Sequence, residues 1–442
     1  MTTSQALWSF AALSPAWPAA GALLVGGLSL VCKKTEEKHV VWISQTALWL
    51  LLLSVLVGSG LWFFEGGKPV DLRVLDLYQS GDYSLTLRLY FDFASVPISV
   101  VAAVLILATS RFAERYLHRE AGFLRFFALM LTFAAGVMML LLGGSFDLLL
   151  AGWEVVGWTS VLLVGFFHER TGPVRAASRV LVTYRLCDVG LLVGAVALHG
   201  AMHSTEYLDV MPHLAAFSSH SRILFIGLAF LVAAMGKSAQ FPVGGWLPRA
   251  MEGPTASSAV FYGGLSVHMG IYLLIRAEPL LQQSVLLQAA VVVVGGTTAV
   301  MAGLSGQVCA DAKTNLAYAT ISQVGLMFVE VGLGFPKLAL LHLVTHSVLR
   351  YYQFLRTPST LQDALLRRQA GIAPELESRT FLGSGFLYRL AIERFAVDSS
   401  LDRWIARPVL SLAKTIEAYE TRLGAFLSGS QGSQDDNQEQ TR

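Results

Sequence analysis

The chain has 442 residues, of which 54% are hydrophobic and only 14% charged. Soluble domains carry roughly 25% charged residues, so this composition does not clothe a water-exposed surface, and a mean hydropathy of +0.57 agrees. A net charge of +2 and three isolated cysteines, Cys32, Cys187 and Cys309, exclude a basic nucleic-acid face, a disulfide scaffold and a cysteine-built zinc site.

What remains is an all-α polytopic membrane protein. A membrane helix takes about 20 mostly apolar residues. Eleven such runs follow in order, near 7–32, 41–64, 93–113, 122–143, 145–167, 176–200, 221–241, 255–277, 284–305, 313–334 and 336–355. They are long and continuous, unlike the short alternating segments of a membrane barrel. No basic stretch precedes the first, which therefore reads as a span rather than a leader. Lys33, Lys34 and Lys38, then Arg111, Arg115 and Arg119, then Arg170 and Arg175 fall in alternate loops. The stretch 201–220 holds no Lys or Arg, and the 65–91 loop offsets Lys68, Arg73 and Arg88 with Glu65, Asp71, Asp76 and Asp82. The positive-inside rule then predicts an outer N-terminus and a cytoplasmic C-terminus.

Three regions follow: a transmembrane domain over 1–355, amphipathic cytoplasmic helices over 356–427 and a polar, disordered tail over 428–442. Within 356–427, the segments 359–370, 383–398 and 400–427 mix apolar and charged residues at helical spacing. Phe386, Leu390 and Val397 share one stripe. Such helices lie on the membrane or on a partner.

An ionisable side chain at mid-membrane costs about 2.5–3.5 kcal/mol on insertion scales, yet this chain places many there. Glu154 lies in the fifth run, Arg185 and Asp188 in the sixth, Lys237 at the end of the seventh and His268 in the eighth. Asp311 and Lys313 open the tenth. His342, His346 and Arg350 stack at spacings of four in the eleventh. Each has a plain structural reading. Arg185 and Asp188, three apart, can be an ion pair that docks helices. Glu154 and Lys237 can pair as glue, and His268 can be a hydrogen-bonded core residue. Asp311 and Lys313 can be snorkelling charges, and Glu330 reads as structural. Acid, base and imidazole groups recurring across neighbouring spans are also how a proton or cation relay is built. Pro242 and Pro254 interrupt the seventh and eighth runs, and broken helices at membrane depth line protein-buried or watery cavities. A lysine beside such a break loads or releases its proton as a carboxylate partner approaches or leaves.

The segments AGWEVVGWTSVLLVGFF, GKSAQFPVGGWLPRAMEGPTASSA, DAKTNLAYATISQVGLMF and HLVTHSVLRYYQFL resemble the antiporter-like subunits of respiratory complex I and of Mrp antiporters, over about residues 85–355. The resemblance implies that Glu154 is the family glutamate, that Lys237 is the lysine of its broken helix, and that Asp188, His342 and His346 are further polar positions. It also implies departures. The second inverted repeat is truncated, Tyr262 replaces a histidine with His268 six residues later, and Arg350 stands where lysine is usual. Arginine does not release a proton. FYGGLSVHMGIYLL and HSVLRYYQFLRTPSTLQD are similar to the narrower DabB family, membrane subunits of bacterial inorganic-carbon accumulation complexes. That likeness implies a location in the bacterial inner membrane, a zinc-containing peripheral DabA-like partner on the cytoplasmic side, and H+ or Na+ flow that drives CO2 hydration there. No cofactor or catalytic metal is expected in this chain. Its ion-translocating residues would be Glu154, Lys237, Asp188, Arg185, His268, His342, His346, Lys313 and Asp311. An Mrp or complex I-like pump subunit and a non-conducting anchor are the competing expectations.

Overall fold

The first apolar run does not fold as one helix. In a computed structural model, which describes residues 3–31, 36–80, 83–214, 219–309, 311–357, 369, 385–401, 403–404 and 407–427, it forms α1 (Thr3–Ala12) and α2 (Ala16–Val31), bent by 48°. Pro15 is the physical cause: it lacks an N–H and disfavours helical backbone at the residue before it. The chain divides into two units, Met1–Gly383 and Ser384–Arg442.

The first unit is a helical bundle. Its helices are α3 (Glu37–Phe64), α4 (Ser95–Tyr116), α5 (Phe123–Leu142), α6 (Phe146–Val164), α7 (Thr171–Met202), the short α8 (Tyr207–Leu214) and α9 (His220–Lys237). After the short α10 (Trp246–Arg249) come α11 (Thr255–Ser258), α12 (Met269–Arg276), α13 (Glu278–Leu281), α14 (Val285–Gln307), α15 (Ala312–Gly332) and α16 (Pro336–Arg356). Among the described residues, eight helical segments are long and apolar enough to cross a membrane, or nine with the bent α1–α2 pair. The sequence predicts eleven. The two that fall short, α15 and α16, have 21 residues each, but Lys313, Gln323 and Glu330 dilute one and His342, His346 and Arg350 the other. α15 packs along α14, and α16 along α15.

Two departures have local causes. The 65–91 segment is not a plain loop: Val70–Ser80 (β1) and Tyr83–Phe91 (β2) pair antiparallel, with Val70 opposite Phe91 and Ser80 opposite Tyr83. Leu85, Leu87, Leu89 and Phe91 alternate with polar residues in the period of a strand. The hairpin is tied down at its base. Gly144 N donates to Arg88 O at 3.0 Å, and Arg88 pairs with Asp71 at 2.8 Å and with Glu206. Next to it, Asp92 and Arg276, 5% and 6% exposed, form a buried ion pair at 2.7 Å among Tyr90, Tyr207 and Tyr272. Asp92 also accepts from Ser95 N at 2.9 Å and so starts α4.

The eighth run, expected as one helix opened by Pro254, is broken inside. α11 passes into a π-helical turn over Ala259–Gly264 and a tight 3-10 turn over Ser266–His268 before α12 resumes. A π turn carries one residue more than an α turn, which rotates the following side chains by about 100°. Gly263 lets α16 approach here: a Cβ on it would lie 2.7 Å from Phe354 Cδ2 and 3.2 Å from the Arg350 backbone. Every residue of this segment is buried, so its side chains face other helices rather than lipid.

The second unit holds α17 (Phe386–Ile392), α18 (Val397–Leu401) and α19 (Arg407–Leu427). A 3-10 turn at Arg394–Ala396 interrupts the helix expected over 383–398, so Phe386, Leu390 and Val397 do not share one continuous face. Leu412, Ile416, Tyr419 and Leu423 form an exposed stripe on α19. The expected helix at 359–370, apart from Gln369, and the tail over 428–442 lie outside the described residues, as do Cys32, Lys33 and Lys34.

Candidate ion-translocation site

Three elements build the first cluster. Ser145 caps α6 by accepting from Leu148 N at 3.2 Å, and α6 then presents Trp153, Glu154 and Gly157. α7 presents Tyr184, Arg185 and Asp188 on one face. α9 ends on Lys237, where the chain leaves the helix ahead of Pro242. Arg185 lies between two carboxylates: it pairs with Glu154, and its Nη2 donates to Asp188 Oδ2 at 2.9 Å. Trp153 Nε1 donates to the other Asp188 oxygen at 2.5 Å. Asp188 is 3% exposed and Lys237 0%.

The expected Glu154–Lys237 pair is not the contact formed. Glu154 takes Arg185, which reaches it directly from the neighbouring helix. Lys237 Nζ donates to the Trp153 carbonyl at 3.2 Å and sits 4.8 and 4.2 Å from the Trp153 and Tyr184 ring centroids. Gly157 opens the room for this: a Cβ there would stand 3.0 Å from Lys237 Nζ and 3.6 Å from Arg185 Nη2. Two acids and two bases balance in formal charge, and in this arrangement Arg185 holds both carboxylates.

The second cluster lies on α16 and the broken segment. His268 Nε2 and His346 Nδ1 are 2.8 Å apart. Arg350 Nε donates to His346 Nε2 at 3.1 Å, and its Nη1 donates to Gln353 at 2.8 Å. His342, one turn before His346, contacts Glu330 at 2.8 Å and Gln323 at 3.2 Å across the α15–α16 hairpin. The spacing-of-four stripe is therefore present, with its rings 6.0 Å apart at His342 and His346.

The two clusters are joined through their breaks. Ser238, which follows Lys237, donates to the Val267 carbonyl at 2.7 Å, one residue before His268. Ser160 and Ser266 hydroxyls are 3.4 Å apart. Between them the Tyr184, Trp246 and Tyr262 rings stack edge to face at 5.0 and 5.7 Å, and the Tyr184 and Tyr262 hydroxyls are buried without a well-formed hydrogen bond. Asp311 and Lys313 stand apart. Asp311 caps α15 by accepting from Thr314 N at 2.8 Å, and Lys313 donates to Thr255 at 2.9 Å, just after Pro254.

Sequence reasoning missed Trp153, Tyr184 and Gly157; Trp153 and Tyr184 adjoin Glu154 and Arg185, and Gly157 follows Glu154 by three residues on the same helix, which was the available signal. It also left Glu330 aside, although the short Leu333–Phe335 turn folds α16 back along α15 and brings His342 to it.

Known proteins share this architecture. Residues 143–369 match the family model for the transmembrane region of NADH:quinone oxidoreductase and Mrp antiporters. NAD(P)H-quinone oxidoreductase subunit 5 of the Paulinella chromatophora chromatophore is 32% identical over 79% of this chain and 53% of its own length. NADH-ubiquinone oxidoreductase chain 5 of Rhizopus stolonifer is 33% identical over 88% and 62%. The chain thus spans little more than half the length of these relatives. The Mrp complex of Dietzia sp. DQ12-45-1b superposes with a TM-score of 0.66 at 25% identity, covering 83% of this chain and 38% of that one. An archaeal membrane-bound sulfane sulfur reductase has the same fold, with a TM-score of 0.66 at 18% identity over 78% and 70%. With a family match over more than half its residues and a shared fold, the chain belongs to the NADH:quinone oxidoreductase/Mrp antiporter transmembrane family.

Proposed function

We propose that this chain is the cation-conducting membrane subunit of a multi-subunit complex, with Lys237 as the group that loads and releases the ion. The observation that carries the reading is Arg185 held between Glu154 and Asp188 beside the fully buried Lys237, two acids and two bases gathered in one cluster. When Arg185 holds both carboxylates, Lys237 releases its proton. When Arg185 swings out, the carboxylates hold the lysine charged. The Ser238–Val267 link passes this change to the His268–His346 pair, and His342 carries the proton onward. Lys313 and Asp311 act at the end of the path, near Pro254. Protons suit a lysine–imidazole relay, and Na+ remains the alternative ion. The chain lies in a bacterial inner membrane with its C-terminus cytoplasmic.

The finer reading rests on FYGGLSVHMGIYLL and HSVLRYYQFLRTPSTLQD, which are similar to DabB subunits. On this reading the partner is a DabA-like zinc protein on the cytoplasmic side, and the cation gradient drives CO2 hydration there. The zinc and its chemistry belong to that partner. The exposed α19 stripe of Leu412, Ile416, Tyr419 and Leu423 supports partner contact by the C-terminal helices. A second reading, favoured by the oxidoreductase relatives and the Mrp likeness, is a subunit of an Mrp-type antiporter or complex I-like pump.

Complementation of a bacterium lacking carbonic anhydrase, in ambient air, separates these. Growth with this chain plus its co-encoded large partner, but not with the Lys237→Ala pair, is the expected result. Growth that survives Lys237→Ala reduces the chain to an anchor. No growth, with redox or antiporter subunits co-purifying, refutes the inorganic-carbon reading.

A further inference from the structure

The histidine pair has a direction written into its hydrogen bonds. A guanidinium has donors and no acceptor, so the 3.1 Å contact from Arg350 Nε requires a lone pair on His346 Nε2. The ring proton of neutral His346 is then on Nδ1. That nitrogen is 2.8 Å from His268 Nε2, and one proton occupies the space between them. His268 Nε2 therefore accepts, and His268 keeps its own proton on Nδ1, which is buried without a well-formed hydrogen bond beside the Gly264 carbonyl. With His268 1% and His346 5% exposed, bulk water does not substitute for these partners.

An imidazole relays a proton by accepting on one nitrogen while giving from the other. If His346 passed its Nδ1 proton to His268 Nε2 with its own Nε2 occupied by Arg350, it would be left an imidazolate. Protonating His346 first would need the Nε2 lone pair that the guanidinium holds, and would set two cations side by side. Arg350 supplies no proton itself, and Gln353 fixes it from the other side at 2.8 Å. We infer that Arg350 is a positioning residue that locks His346 in its Nδ1–H tautomer and, in the observed position, closes the His346–His268 relay until the guanidinium swings away. This rests on the conduction reading above. Its geometry does not depend on which ion or partner that reading names.

The test reads tautomers directly. The full chain is labelled with 15N-histidine, reconstituted in lipid with its co-encoded partner and examined by solid-state NMR, with each resonance identified by its loss in His346→Gln or His268→Gln. The wild type is expected to show an unprotonated Nε2 and a protonated Nδ1 on His346. In Arg350→Met the pair is expected to turn over, with His346 and His268 both shifting toward Nε2–H, the form that a free neutral histidine side chain prefers, and proton flux into the same liposomes rising. A protonated His346 Nε2 in the wild type overturns the lock, and this decides the matter even where Arg350→Met fails to fold. An unchanged tautomer in Arg350→Met, or a changed tautomer with unchanged flux, overturns it too. Absence of cation flux in a wild-type complex with the expected tautomers instead overturns the conduction reading and leaves the lock in place.

Discussion

Lys237→Met separates a structural from a functional lysine, because the structure sets the two effects far apart. The substitution removes a charge-assisted hydrogen bond to the Trp153 carbonyl, worth about 1.5–3 kcal/mol, and two ring contacts of about 0.5–2 kcal/mol each. Against this, a fully buried ammonium costs about 2.5–3.5 kcal/mol to place at mid-membrane, and methionine fills a similar volume without that cost. At the middle of these ranges the losses exceed the gain by about 2 kcal/mol, so the variant should fold and assemble, destabilised by roughly that amount. The cluster is then left with one net negative charge and no group that exchanges its proton at that point. Proton uptake into proteoliposomes carrying the complex should fall at least about tenfold, equivalent to roughly 1.4 kcal/mol on the barrier, while thermal stability in detergent falls only by that modest amount. Wild-type uptake in Lys237→Met would refute the reasoning. So would a large loss of stability, since it would show the lysine to be a docking residue.

Gly157→Ala keeps every titratable group but puts a methyl 3.0 Å from Lys237 Nζ. It should slow uptake several-fold, by less than Lys237→Met, with assembly intact by gel filtration. Gly152→Leu should destabilise the bundle by about 1–3 kcal/mol, read by thermal unfolding in detergent, because even a Cβ at that position would lie 2.4 Å from the Leu140 backbone nitrogen on α5. Asp92→Asn leaves the buried Arg276 without its carboxylate and should cost about 3–5 kcal/mol by the same assay. For wild-type Asp92, burial opposes ionisation, but Arg276 and the Ser95 hydrogen bonds outweigh it and hold the carboxyl below the usual aspartate range. A carboxyl depressed on folding contributes stability that is present above its unfolded value, near pH ~4, and is lost as pH falls through the folded one. A melting temperature that drops on acidification below that point in the wild type, but not in Asp92→Asn, is the expected signature.

Much of the site is legible in the sequence. Arg185 and Asp188 meet because three residues nearly complete a helical turn, and His342, His346 and Arg350 stack for the same reason. What failed to show was the partner across a gap. The sequence pairs Glu154 with Lys237, and only the packing of α7 against α6 gives it Arg185 instead. His268 reads in the sequence either as a core histidine or as a relay member, and its contact with His346 on α16 appears only in the fold, after the π turn over 259–264. The hairpin over 70–91 carries its period in Leu85, Leu87, Leu89 and Phe91, but the charges of the same stretch make it read as a loop.

The sequence by itself determined that the chain is a bundle of apolar helices carrying buried charges, since helix period, helix breakers and hydropathy act over a few neighbouring residues. It also determined which residues share a helix face. Only the tertiary structure decided who pairs with whom, because a hydrogen bond forms or fails within about 3.5 Å and helix position is set by packing across the whole bundle. The glycines at 157 and 263 make the point: each is an unremarkable small residue in the sequence. In the fold, one clears the space that Lys237 and Arg185 share, and the other admits the helix that carries Arg350 to His346.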